Sequence, residues 1–204
     1  MKKDLTEIVF VLDMTGSMQP LTNDCIGGFN SFVDDQKKLP GDANLTLVLF
    51  NSFTENKLFN RANIKNVRNI NEKDYMANGM TPLLDAVGRS IDDLGKDLDK
   101  LAEDQKPEKV IFVIMTDGEE NYSKHFSRAQ IFDKIKLQQE QYNWNFIYLG
   151  ANVDSFAEAQ GLGIKYDPNI INVHNFAHSG IGTRSAYTSA SGSTSSYRAS
   201  SSKS

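Results

Sequence analysis

The sequence predicts an α/β protein: an open, mostly parallel six-stranded sheet with helices on both faces and one short antiparallel edge strand. Three observations predict it. The strongest apolar runs are continuous rather than alternating, as a sheet buried on both faces requires. Helix-length amphipathic segments separate those runs, the order that builds parallel strands through crossovers. One connection alone, Asn51–Ser52, is short enough for a hairpin.

Taken in order, "EIVFVL" at 7–12 reads as a central strand, followed by a helix from about Asn23 to Lys38. Ile26, Phe29, Phe32 and Val33 share one face of that helix, and Pro40–Gly41 closes it. "LTLVLF" at 45–50 is a second buried strand, and the alternating "FTENKLF" at 53–59 suits the outer strand of the hairpin. A long helix over 82–104 places Leu83, Leu84, Val87, Ile91, Leu94, Leu98 and Leu101 at helical spacing, with Pro82 where a first-turn proline costs little. "VIFVIM" at 110–115 is the fourth strand, and a helix over 125–141 carries Ala129, Phe132, Ile135 and Leu137. "NFIYLG" at 145–150, a short helix at 153–160 ending before Gly161, and "NIINVH" at 169–174 complete the pattern. Trp144, Phe146 and Tyr148 are expected to fill the core or the outer sheet surface.

From about Gly180 the composition changes to serine with almost no aliphatic side chains, too little apolar surface to offset ordering entropy. The expected organisation is therefore one domain over residues 1–179 and a flexible tail over 180–204. The 204 residues are 39% hydrophobic, enough for a single large core, and the net charge of −4 argues against a broad nucleic-acid surface. Cys25 stands alone, which rules out an intramolecular disulfide or a cysteine-rich zinc site and fits a reducing compartment. The N-terminal apolar run is short, interrupted by Glu7 and Asp13, and lacks a signal-peptide cleavage site; no segment has the length of a membrane span. These features set the expectation of a cytoplasmic protein.

The chemistry gathers at the polar ends of the strands. Asp13, Thr15 and Ser17 follow the first strand, Thr81 precedes the long helix, and Asp117 follows the fourth strand. In a parallel sheet these positions face the crevice at the carboxyl ends of the strands, where open α/β sheets bind ligands. Two carboxylates and three hydroxyls form a hard, oxygen-rich set suited to Mg2+ or Mn2+, and they include no thiolate or histidine for zinc. Each fragment also has a plainer explanation. Thr15, Ser17 and Thr81 are good helix caps, and Asp117–Gly118 is a common turn pair.

"DMTGS" at 13–17, "GMTPL" at 79–83 and "MTDGEEN" at 115–121 together resemble the three loops of the metal-ion-dependent adhesion site (MIDAS) in von Willebrand factor type A domains. The resemblance spans about residues 5–175, and Thr15 stands where the family more often has serine. It implies metal binding by Asp13, Thr15, Ser17, Thr81 and Asp117, with Mg2+ as the expected cofactor and Mn2+ or Ca2+ as alternatives. It also implies a Rossmann-like fold and a binding module that grips a partner protein's Asp or Glu carboxylate through the cation; composition and charge add the expectation that the module is intracellular, with neither nucleic acid nor membrane as partner. Asn51, Ser52, Glu119 and Glu120 are further candidates for the rim, against the plainer reading of Glu119 and Glu120 as a solvated acidic loop.

Two alternatives are a structural domain with a silent metal site and a phosphoryl-transfer hydrolase using Asp13. Such hydrolases usually need a second carboxylate two residues beyond the nucleophile, where this chain has Thr15; no catalysis is expected. His125, His174 and His178 form no short metal motif, so loop or surface roles are expected for them.

Overall fold

The computed structural model describes residues 1–151 and 154–200. Six strands form one sheet: β1 (Lys2–Asp13), β2 (Asp42–Phe50), β3 (Glu55–Asn63), β4 (Pro107–Thr116), β5 (Asn145–Ala151) and β6 (Val173–Phe176). Their spatial order is β3-β2-β1-β4-β5-β6, with β2 and β3 antiparallel and every other pair parallel. The expected sheet is thus observed, and its strand order reverses between β1 and β4.

Period-two alternation divides β1 between two cores. Ile8, Phe10 and Leu12 face α1 (Thr22–Lys37), where Phe10 meets Phe29 and Phe32 edge-on at 5.4 and 5.2 Å. Val9 and Val11 face α2 (Leu83–Asp99), α3 (Arg128–Gln141) and α4 (Ser155–Gly161). Every leucine, valine and isoleucine expected on the inner face of α2 up to Leu98 is buried, and the helix ends five residues before the expected stop at 104. Trp144 and Phe146 both stack on Phe112, at 5.6 and 5.1 Å.

Three expectations change. Helix α3 buries Ile131 and Ile135 and leaves Phe132 and Leu137 on the surface; two isoleucines four apart suffice to seat a helix whose remaining positions are polar. The last strand starts at Val173, because residues 168–171 turn and Ile171 takes a positive φ of 46°. The expected helix start at 153 lies outside the described residues.

The largest change is the serine-rich segment. Residues Gly180–Ala199 form α5, which lies against α1 on the Phe10 side of the sheet, so a flexible tail from residue 180 is not what folds. Thr183, Ala186, Tyr187, Ala190, Ser191, Ser193 and Thr194 are buried, most of them along one face at i, i+3, i+4 and i+7 spacing. Tyr187 supplies the one large apolar group and stacks on Phe10 at 5.8 Å. Its ring lies so close to Gly28 that a Cβ there would meet it at 2.2 Å, so a side-chain-free position on α1 is what admits it. Gln36 Nε2 bonds Ser191 and Ser195, and Arg198 donates to the Gln36 carbonyl at 2.8 Å. Small residues let the two helices approach, and polar pairs replace the missing aliphatic surface. The end of the expected tail, 201–204, lies outside the described residues. No helix among the described residues is long and apolar enough to cross a membrane.

Candidate metal centre

Strand order places the candidate centre. Asp13 ends β1 and Asp117 follows β4, on either side of the point where the sheet reverses direction. In open α/β sheets this is where a crevice forms, because the connections leaving the two strands run to opposite sides.

Asp13 is fully buried. Its Oδ1 accepts the backbone N–H of Thr15 at 2.8 Å, and its Oδ2 accepts the Thr116 hydroxyl at 2.6 Å. Burial pushes its carboxyl up to about 6, against the pull of those hydrogen bonds, and Asp117 adds to the push. The Asp117 side chain is also buried. Ser17 Oγ donates to Asp117 Oδ1 at 2.7 Å and lies 3.2 Å from Thr15 Oγ1. Asp13, Thr15, Ser17 and Asp117 thus belong to one connected network.

Thr81 arrives from the second loop. A Cβ built on Gly118 would lie 3.5 Å from Thr81 Oγ1 and 3.8 Å from Ser17 Oγ, so the three loops meet there. Gly79 makes this approach possible. Its φ is +76°, and a Cβ would strike Ser52 Oγ at 2.6 Å, while its carbonyl accepts Gly16 N–H at 2.9 Å. Asn121 fastens the third loop to the second, accepting Thr81 N–H on Oδ1 at 2.9 Å.

The plainer explanations fail on the hydrogen bonds. The short 3-10 turn at Gly16–Leu21, helix α1 and helix α2 have no side-chain N-cap bond from Thr15, Ser17 or Thr81. Asp117 accepts from Ser17 and His178 rather than from local turn amides.

The rim candidates separate. Asn51 is buried; its Oδ1 accepts Phe53 and Thr54 N–H, and its amide bonds Asn78 at 2.6 Å, so it shapes the neighbouring loops. Ser52 Oγ accepts Met80 N–H at 3.0 Å and holds the loop that carries Thr81. Glu120 turns inward, accepting N–H groups of Leu84, Tyr122 and Ser123, so it ties the third loop to the start of α2. Glu119 is exposed.

Sequence reasoning missed three residues. Thr116 lies inside the third motif, and its hydroxyl donates to Asp13 Oδ2. Asp85, buried in the first turn of α2, accepts the N–H groups of Lys124, His125 and Phe126 and fixes the loop beyond Asp117. His178 lies across the centre, its Nε2 2.7 Å from Asp117 Oδ2 and 3.1 Å from the Ser17 carbonyl. Its position just after the last strand, at the same end of the sheet, was the one signal available. Among the described residues no three His, Cys, Asp or Glu side chains gather as a metal cluster; the donors here are two carboxylates with hydroxyls around them.

No family model and no curated protein sequence matches the chain. Solved structures do. Proximal thread matrix protein 1 from the mussel byssus is 13% identical with a TM-score of 0.57, over 94% of this chain and 46% of that one. Manganese-loaded TRAP protein of Plasmodium vivax is 15% identical with a TM-score of 0.59, over 91% of this chain and 73% of that one. This chain therefore spans less than half the length of the first. At such identities the likeness shows the fold, which is von Willebrand factor A-like. The matches correct the expectation of an intracellular, cytoplasmic module: a byssal thread matrix protein works outside the cell, so this fold gives no cytoplasmic address. Cys25, buried and unpaired, supports neither compartment.

Proposed function

We propose that this chain is a non-catalytic, adhesion-type module that binds a protein through the crevice between β1 and β4, with a divalent cation held by Asp13, Thr15, Ser17, Thr81 and Asp117. The observation that carries this reading is the hydrogen-bonded network running from Asp13 through Thr15 and Ser17 to Asp117. Its donor separations of 2.7 and 3.2 Å suit neighbouring ligands of a six-coordinate cation, which lie about 3 Å apart when metal–oxygen distances are about 2.1 Å. Two buried carboxylates close together also want a positive charge, and no Lys or Arg among the described residues bonds either one. Mg2+ or Mn2+ supplies that charge; the manganese-loaded neighbour supports the choice of ion. With neutral hydroxyls completing the set, the cation keeps an affinity for an incoming Asp or Glu carboxylate.

A protein partner is supported by the surface around the centre. Phe53, Met76 and Met80 lie on the loops beside it and are exposed at 77%, 63% and 46%, an apolar rim of the kind protein interfaces use. Catalysis by Asp13 is disfavoured because Thr15 stands where such hydrolases need a second carboxylate.

The test is capture of a binding partner in Mg2+ or Mn2+ against chelator, using wild type and Thr81→Ala. Thr81→Ala removes one hydroxyl of the site and leaves the apolar core intact. Partner capture lost both in chelator and in the variant supports the proposal; capture indifferent to both overturns it.

A further inference from the structure

We propose that the groove beginning at Pro82, next to Thr81, is a second contact site for the same protein partner, and that it takes one apolar and one acidic side chain of a partner segment. This inference rests on the partner-binding crevice proposed above and names the chemistry of what lies across it.

Phe53 forms one wall of the groove, and Tyr122, Lys124 and His125 form the other, around a volume of about 210 Å3. That volume suits single side chains of a peptide rather than a drug-sized ligand. Both walls are held by buried polar side chains. Asn51 Oδ1 accepts the Phe53 and Thr54 N–H groups, and the Asn51 N–H donates to the Thr54 carbonyl. Opposite, Glu120 accepts the Tyr122 and Ser123 N–H groups, and Asp85 accepts those of Lys124 and His125. The groove is therefore formed before a partner arrives, and binding there requires little ordering of the chain.

What the walls display sets the partner's chemistry. One edge of the Phe53 ring lies against Gly79, where a Cβ would meet it at 2.9 Å, and 77% of the residue faces solvent. A ring fixed in that position adds nothing to the core and offers a contact to an apolar side chain. The charges divide as clearly. Arg89 is already held by Glu55 and Asp85, at 3.4 and 3.0 Å. Lys124 is exposed and bonds no carboxylate among the described residues; its Nζ lies 4.4 Å from the centre of the Tyr122 ring and 3.3 Å from its hydroxyl. The groove thus presents one uncommitted positive charge beside aromatic surface. An acidic side chain is its complement, and a basic one would meet like charge.

The experiment uses the full chain and a random library of peptides about twelve residues long, selected for binding in Mn2+. The selected peptides are then titrated against wild type, Phe53→Ser and Lys124→Glu. Both substituted residues are exposed, and circular dichroism confirms that the variants are folded. The expected peptides carry a large apolar residue and two acidic ones, and each variant weakens their binding about tenfold or more. Exchanging one of the acidic residues for Lys should reverse the order, so that this peptide binds Lys124→Glu better than wild type. If no peptide is selected, if both variants bind the peptides as wild type does, or if the charge exchange restores nothing, the inference is overturned. Peptides that need Mn2+ but ignore both substitutions leave the crevice standing without the groove. Peptides that respond to both substitutions and bind equally in chelator support the groove and remove the cation from the proposed function.

Discussion

Strand β1 carries two buried carboxylates on the same face, Glu7 near its start and Asp13 at its end, and they are satisfied in opposite ways. Glu7 has a cation built into the fold. Arg61, from the edge strand β3, reaches Oε2 with Nη2 at 3.2 Å, and the Asn44 amide donates to the same oxygen at 3.1 Å. Arg61 Nε also lies 3.2 Å from Oε2 but is not aligned for a hydrogen bond, and Glu7 Oε1 has no partner among the described residues. Asp13 has an amide, a hydroxyl and a second carboxylate nearby, and no side-chain cation. The fold neutralises the first charge itself, and no Lys or Arg among the described residues bonds the second. That difference separates a structural ion pair from the proposed cation site.

The strongest test of the comparison is Arg61→Ala. It strands Glu7 as an uncompensated buried charge, and the expected loss is about 3–5 kcal/mol in denaturant unfolding at neutral pH. The pH dependence follows from Glu7. Burial holds its carboxyl above the ordinary 4.5, and Arg61 pulls it part of the way back. A carboxyl raised in the folded state binds its proton more tightly there than in the unfolded chain. Stability therefore rises as pH falls through the folded value towards 4.5, and is flat below it. Without Arg61 the rise is larger, so the variant recovers part of its loss in mild acid, and Glu7→Gln in the same background removes that recovery. A variant as stable as wild type at pH 7 would break the comparison at its structural end.

The two carboxylates also differ in how far the sequence reveals them. Asp13 ends an apolar run and begins a spaced set of hydroxyls, so both its strand and its place beside them at the strand end were readable. The sheet itself was readable for the same reason, since continuous apolar runs carry their own period. Glu7 was readable only as an interruption: its partner lies on a strand two places away, and that pairing exists only in the assembled sheet. His178 was hidden in the same way, because nothing local in "HNFAH" says that α5 will draw it over Asp117. Helix α5 was hidden by composition. Its buried face is Thr, Ala and Ser around one tyrosine, and its stability comes from close approach at Gly28 and polar pairs to Gln36.

At the other end of β1 the expected effect is smaller and of opposite sense. In chelator, Asp13→Asn removes a buried charge that lacks a cation, and its midpoint should equal or exceed that of wild type. With Mn2+ at about 100 times its Kd, wild type gains about 2.7 kcal/mol and the variant gains nothing. Thermal unfolding in both conditions reads the difference. Glu7→Gln, by contrast, should destabilise the protein in both conditions alike, since it leaves Arg61 without its counter-charge. If Asp13→Asn is as damaging in chelator as Glu7→Gln, the two carboxylates are equivalent structural residues and the contrast is lost.

The smallest effect tests the hydroxyl bonded to Asp13. Thr116 Oγ1 donates to Asp13 Oδ2 at 2.6 Å and also lies 3.1 Å from the Gly118 carbonyl, and with one proton it serves the shorter, charged contact. Thr116→Val keeps the shape and deletes the donor, so the cation-free protein should lose about 1.5–2 kcal/mol, the worth of a hydrogen bond to a charged group. The loss depends on the charge, so combining Thr116→Val with Asp13→Asn should cost less than the sum of the two single changes in a double-mutant cycle. Asn44→Leu, which deletes the neutral donor at Glu7, should cost less than Thr116→Val because Arg61 still holds that carboxylate. Equal costs at the two ends would mean that Asp13 already has a full counter-charge inside the protein, and that the crevice has no need of a cation.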